Sequence, residues 1–156
     1  ISFEFSNGDI CDYNRWQQGK RMLALGSFSC EIPAALPDDS QQGYRNYLKT
    51  VMNYAGTLSL LNESEQISPD EIRIGDIICN KDHVVLIVDE AVNEKGEKTY
   101  LIGQSYIPAV CFHLVTTSNG DVDSPWFTQE QLEKQDFIID SVGFTPNNIR
   151  RWKDGF

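Results

Sequence analysis

The chain opens on a strict alternation. In Ile1-Ser-Phe-Glu-Phe-Ser6 apolar and polar positions exchange at every step, which predicts a strand. Asn7-Gly8 marks a turn, and Asp9 is placed to cap a short helix through Trp16 and Gln18, stopped by Gly19. Met22 to Leu25 and Phe28 to Ile32 predict short strands around Gly26, with a loop from Pro33 to Pro37. After Asp38-Asp-Ser40 the period changes. Tyr44, Tyr47, Leu48, Val51, Met52, Ala55 and Leu58 recur at steps of three and four, the stripe of an amphipathic helix ending near Leu61-Asn62.

The second half returns to strand patterns. Ile72 to Cys79 contains a Gly75-Asp76 turn, and His83 to Val92 is rich in Val and Ile. Asn93-Glu-Lys-Gly96 predicts a hairpin turn, and Thr99 to Ser105 the returning strand. Pro108 breaks the pattern before a strand at Val110 to Val115. Ser118 to Ser124 reads as a polar loop, Gln129 to Gln135 as a weak helix, Phe137 to Ile139 as a strand, and the rest as an irregular tail. The expected architecture is a single α+β domain over residues 1–156, an antiparallel sheet packed against one main helix.

Composition narrows the partners. Apolar residues make up 40% of the 156 residues, enough for a core without disulfides or metal. A net charge of −10 opposes phosphate backbones and anionic lipid, so no nucleic-acid partner is expected. No apolar run approaches the roughly 20 residues of a spanning helix, and Ile1 begins inside a patterned segment, so no leader is expected in these residues. Cys11, Cys30, Cys79 and Cys111 form no CxxC pair and have no histidine at ligand spacing. No metal and no cofactor are therefore expected. Cys79 and Cys111 read as buried free thiols within strands.

The candidate chemistry lies in Arg73-Ile-Gly-Asp-Ile-Ile-Cys-Asn-Lys-Asp-His83-Val-Val-Leu-Ile-Val-Asp89. A histidine at a strand entrance is half exposed, so it can accept a proton while its direction stays fixed. On one regular strand His83, Val85, Ile87 and Asp89 would share a face. Gln104 is the candidate orienting group, its amide carbonyl holding the imidazole Nδ1–H. A hairpin centred near Lys95 sets Gln104 opposite about position 86, roughly 10 Å along the strand from His83 unless a bulge intervenes. Gln104 reads equally as an ordinary strand-end polar residue, His83 as a surface or capping histidine, and His113 as a strand residue facing solvent or packing. Cys11, two residues after the expected cap Asp9, is the candidate nucleophile, because a helix N-terminus lowers a thiol pKa. The flanking Asp9 and Asp12 act against it, and a partly buried structural cysteine is the alternative. Tyr44, Arg45 and Tyr106 are candidate substrate contacts, Arg45 as a bidentate partner for a carboxylate. The tyrosines serve equally as core.

The Gly-Asp turn followed by His83-Val-Val-Leu-Ile-Val resembles the papain-like NlpC-type cell-wall peptidases. That resemblance implies a half-barrel fold, His83 as general base, a cysteine nucleophile, and a peptide or peptidoglycan fragment as substrate. A longer set of stretches runs through the chain: Phe5-Ser-Asn-Gly8, Tyr13-Asn-Arg-Trp16 with Gly19 and Arg21, Tyr44-Arg-Asn-Tyr-Leu48, Tyr54-Ala-Gly-Thr-Leu-Ser-Leu60, Ile74-Gly-Asp76, His83 to Asp89, Gln104 to Ala109 and Ser124-Pro-Trp126. Together they resemble the Bacteroidetes proteins that carry a domain of unknown function (number 4846). This second resemblance implies an exported or envelope-attached protein. It also implies a further N-terminal helix with a Cys-Ala-Asp sequence, which these residues do not match, and a glycine where Asp82 precedes His83. Two functions are consistent with the pattern, a cysteine amidase or peptidase and a non-catalytic binding or scaffold module of the envelope.

Overall fold

The computed structural model describes residues 1–153 except 27, 107, 109, 120 and 121. The chain forms two compact units, Ile1–Glu63 and Ser64–Phe156.

In the first unit β1 (Ser2–Glu4) pairs antiparallel with β2 (Ile10–Asp12), setting Phe3 opposite Cys11. The residues expected at the start of a helix are thus a strand. Asp9 does not cap, because its carboxylate is taken by Ser29 and Asn7. Asp12 caps instead, accepting from the Arg15 N–H at 3.0 Å, and α1 (Tyr13–Gln17) follows. Gly19, at φ +87°, ends that turn in a conformation that favours glycine. β3 (Lys20–Leu25) and β4 (Phe28–Pro33) form a hairpin. Ser40 caps α2 (Gln41–Tyr54), its hydroxyl accepting from the Gly43 N–H at 3.0 Å.

The predicted long helix is broken. Ala55 is extended at ψ 133°, and α3 (Thr57–Glu63) starts anew after Gly56, a residue that pays a high entropic cost inside a helix. The apolar stripe is correspondingly narrower than its spacing predicts. Tyr47 is buried and Tyr44, Leu48 and Val51 pack beside it, whereas Met52 and Leu58 are exposed. They join Phe5, Cys11 and Trp16 in a small aromatic core, with Tyr13 edge-on to Tyr44 at 5.0 Å.

The second unit is mostly sheet. Its elements are β5 (Ser64–Gln66), a 3-10 turn (Pro69–Glu71), β6 (Ile77–Cys79), β7 (Val84–Val92), β8 (Lys98–Gln104) and β9 (His113–Leu114). Then come β10 (Thr117–Asn119), β11 (Val122–Ser124), β12 (Trp126–Thr128), α4 (Gln129–Glu133), β13 (Phe137–Ile139) and β14 (Val142–Phe144). A second 3-10 turn (Pro146–Asn148) leads into β15 (Ile149–Trp152). The strands β12-β8-β7-β6-β15-β5 lie side by side in that order, all antiparallel, with β9 also paired to β8. The segment read as an irregular tail therefore holds an interior strand. Of the expected polar loop, β10 and β11 form their own hairpin, and Gly120 and Asp121 lie outside the described residues. The core beneath the sheet gathers Ile78, Val85, Ile87, Tyr100, Ile102 and Ile149 with Leu132 of α4 and Phe137, Ile139 and Phe144 of the β13–β14 hairpin.

These findings overturn the expected papain-like half-barrel. Strand outweighs helix, 39% against 26%, and the strands fall into several separate sheets. The reason lies in the side chains. The face that α2 buries is aromatic and lies in the first unit's core, while the long sheet closes its own core with a one-turn helix and a hairpin.

Candidate functional site

His83 stands in the turn between β6 and β7, one residue before the strand begins. The turn is held by Asn80, whose side-chain Oδ1 accepts from the backbone N–H groups of Asp82 and His83, each at 2.8 Å. The Asn80 amide N–H group in turn donates to the Gly143 carbonyl at 3.0 Å. The imidazole is half-buried and its backbone is fixed at both ends.

A bulge brings Gln104 within reach. The β7–β8 register runs Leu86 opposite Gly103 and Ile87 opposite Ile102, then resumes with Asp89 opposite Leu101. The extra residue, Val88, moves Gln104 one step toward His83, level with Val85, so that only a diagonal gap remains for a long side chain. The same bulge puts Asp89 on the face opposite to Val85 and Ile87, which corrects the expectation that it shares their face. Gln104 is 1% exposed, and its Oε1 lies 2.8 Å from His83 Nε2. Its Nε2 group donates to Asp140 Oδ2 at 2.7 Å and to the Tyr106 hydroxyl at 2.8 Å. Tyr106 also donates to Asp140 Oδ2, and its ring stacks on the His83 imidazole at 5.2 Å and 17°.

The chemistry of this network fixes its polarity. A carboxylate only accepts, so Asp140 must face the amide N–H end. Gln104 Oε1 is left to accept from His83 Nε2–H, and the lone pair of the neutral ring sits on Nδ1. The amide thus holds Nε2 rather than the expected Nδ1. His83 Nδ1 carries no hydrogen bond among the described residues. The Asp140 hydrogen bond, then burial and the Asp140 charge, raise the Tyr106 pKa, which keeps the phenol a donor.

One family model, described as a domain of unknown function (4846), matches residues 1–151. The chain belongs to that family. No curated protein and no solved structure matches it.

In this family member Cys11 and Cys79 are buried thiols. Cys11 is 1% exposed, on β2 ahead of the cap rather than inside a helix. Burial, then Asp12 and Glu31, push its thiol up to about 11. Cys79 is fully buried and burial pushes it likewise to about 11. Both are environments of packed thiols. Cys111, expected to be buried, is exposed, because the strand it was assigned to is only His113–Leu114. Tyr44 belongs to the aromatic core of the first unit and Arg45 is exposed on α2. Tyr106, expected as a substrate contact, is a member of the network. His113 is exposed opposite Gln104, its ring 6.0 Å from that of Tyr106.

The Gly-Asp motif has a structural explanation. Gly75 adopts φ +92°, and Asp76, 2% exposed, receives Arg151 of β15 at 2.8 Å on each oxygen. The Arg73 N–H donates to the same carboxylate at 2.9 Å. Among the described residues no group of three or more His, Cys, Asp and Glu is arranged to hold a metal, and no helix is long and apolar enough to cross a membrane.

Sequence reasoning missed Asp140. It occupies the two-residue turn between β13 and β14, where Ile139 pairs with Val142. The one available signal was the pair of apolar triplets flanking Asp140-Ser141, without the glycine that usually marks such a turn.

Proposed function

We propose that the chain carries the general-base half of a cysteine-dependent amidase or peptidase site, with His83 as the base and Gln104 as its orienting group. The observation that supports this is the bond from His83 Nε2 to a buried amide oxygen, which leaves Nδ1 as an open lone pair. In this chemistry Nδ1 takes a thiol proton and the sulfur attacks an amide carbonyl carbon. The carbon–nitrogen bond then breaks, and the imidazolium gives its proton to the departing amine. Water, activated by the same nitrogen, hydrolyses the thioester.

Cys11 and Cys79 do not suit the attacking role, because burial holds both thiols near 11. The proposal therefore assigns the nucleophile to a cysteine of the kind implied by the family resemblance, in a helix with Cys-Ala-Asp. The substrate class is a peptide or peptidoglycan stem fragment, and the setting is the cell envelope. Both rest on the resemblances of the sequence. A second reading, a non-catalytic binding or scaffold module of the envelope, is favoured by the same burial of Cys11 and Cys79.

The test uses the protein in its complete reading frame. Iodoacetamide at neutral pH should alkylate one thiol rapidly, and His83→Gln should slow that reaction about tenfold or more. Amide cleavage of stem peptides should fall with it. If no thiol shows His83-dependent alkylation, the amidase reading is lost and the binding module stands.

A further inference from the structure

Gln104 can be satisfied either way round, because an amide offers an acceptor at one end and donors at the other. What chooses the end is not His83, whose ring can donate or accept at Nε2. Tyr106 does not choose either, since a hydroxyl also does both. Asp140 is the only member of the network whose ionised side chain cannot donate. Both N–H bonds of Gln104 are spent on the Asp140 end, at 2.7 Å to Oδ2 and 2.8 Å to the phenol that itself donates to Oδ2.

The turn makes this placement possible. Asp140 and Ser141, at φ +44° and +72°, are the two left-handed residues between β13 and β14, and aspartate is among the few side-chain-bearing residues that adopt this conformation readily. A glycine at residue 140 would suit the same turn without supplying a carboxylate.

We propose that Asp140 is a positioning residue that selects the tautomer of His83 through the Gln104 amide, a proposal that deepens the general-base reading above. With Asp140 in place the amide oxygen faces the ring, the single proton of the neutral imidazole stays on Nε2, and the lone pair is on Nδ1. Without it, nothing in the network is acceptor-only. The amide is then free to turn its N–H end to the ring and accept the opposite tautomer, with the proton exchanged through water to Nδ1. The base would then present an N–H where it should present a lone pair. Other charged and titratable groups around the ring are Lys81 and Asp82 in its own turn, Tyr106 beyond β8, and His113 on β9. None of them bonds to Gln104 except Tyr106.

The experiment is ring-nitrogen NMR on the 15N-labelled protein, at a pH where the imidazole is neutral. The chain has two histidines, so His113→Gln assigns the signals. In the unmodified protein His83 should carry its proton on Nε2. Asp140→Gly, which suits the backbone of the turn, should lower the ratio of the Nε2–H to the Nδ1–H form about tenfold or more, the scale of one hydrogen bond. Asp140→Asn, whose amide can donate as well as accept, should also lower that ratio, though by less than Asp140→Gly because its carbonyl can still accept from Gln104. An unchanged ratio in Asp140→Gly, with a native amide spectrum, overturns the assignment. The readout needs no turnover. A responsive ring in an inactive protein removes the general-base reading alone, and an unresponsive ring in an active one removes only the role of Asp140.

Discussion

The turn before β6 and the far end of β8 each bury a polar side chain almost completely, Asp76 at 2% and Gln104 at 1% exposed. They differ in how their hydrogen bonds end. Asp76 is closed. One guanidinium spans both of its oxygens, a backbone N–H adds a third bond, and Arg151 spends a further N–H on the Glu71 carbonyl at 2.7 Å. Gln104 belongs to a chain with an end. Asp140 anchors it, Tyr106 braces it, and it finishes at His83, whose Nδ1 is without a partner among the described residues. A closed buried pair fixes where strands go. An open one leaves an unpartnered ring nitrogen in a fixed direction. The sequence pattern places both aspartate and histidine in one run, yet the aspartate is closed off by Arg151 and only the histidine keeps an unpartnered nitrogen among the described residues.

The largest effect should come from opening the closed system. Arg151→Met leaves the Asp76 carboxylate buried without its partner, at a cost of about 3–5 kcal/mol. Chemical denaturation measures it. A loss below about 1 kcal/mol would mean that the pair is dispensable and that the contrast drawn between the two systems fails.

A smaller effect tests whether the buried sulfurs are packing groups. Cys11 and Cys79 are raised from 9.0 to about 11 in the folded chain. The folded state therefore holds protons that the unfolded chain releases between those values. Their contribution is fully present below about pH 9 and is lost as pH rises toward 11, by about 2–3 kcal/mol for each thiol. Stability measured at pH 8 and pH 11 should show a drop, and Cys79→Ala should shrink that drop by the share of one thiol. An identical drop in the variant would mean that the thiol already ionises in the folded protein, as a nucleophile would.

How much of this was legible follows from what each element depends on. The β7 strand and the position of His83 follow from a run of Val and Ile behind a polar turn, and a local pattern of that kind is readable. Gln104 was readable as a candidate, but its reach depends on the bulge at Val88, which no residue type announces. Asp140 was out of sight because its turn lacks glycine, and its partners are 34 and 36 residues away. β15 was hidden by its own charges. Arg150 and Arg151 look like solvent residues, yet Arg150 donates to Ser64 Oγ at 2.8 Å and Arg151 to Asp76. The main helix misled in the other direction. The Tyr44 to Leu58 spacing is regular, but Gly56 breaks it, and the exposed Met52 and Leu58 show that spacing alone does not establish burial.

The smallest effect is the most discriminating. Tyr106→Phe removes the donor to Asp140 and one acceptor for Gln104, while the ring keeps its stack on His83. Asp140 is exposed, so water can replace the lost hydroxyl at its oxygen. The cost should be about 0.5–1.5 kcal/mol, that of one ordinary hydrogen bond. Gln104 keeps its bond to Asp140, so the ring should stay oriented. The comparison of melting curves for Tyr106→Phe and Arg151→Met decides the matter. If the phenylalanine variant loses as much as the methionine variant, the Gln104 network is a second structural clamp. A small loss leaves its rigidity directed at one unpartnered nitrogen, which is what a general base requires and a strand clamp does not.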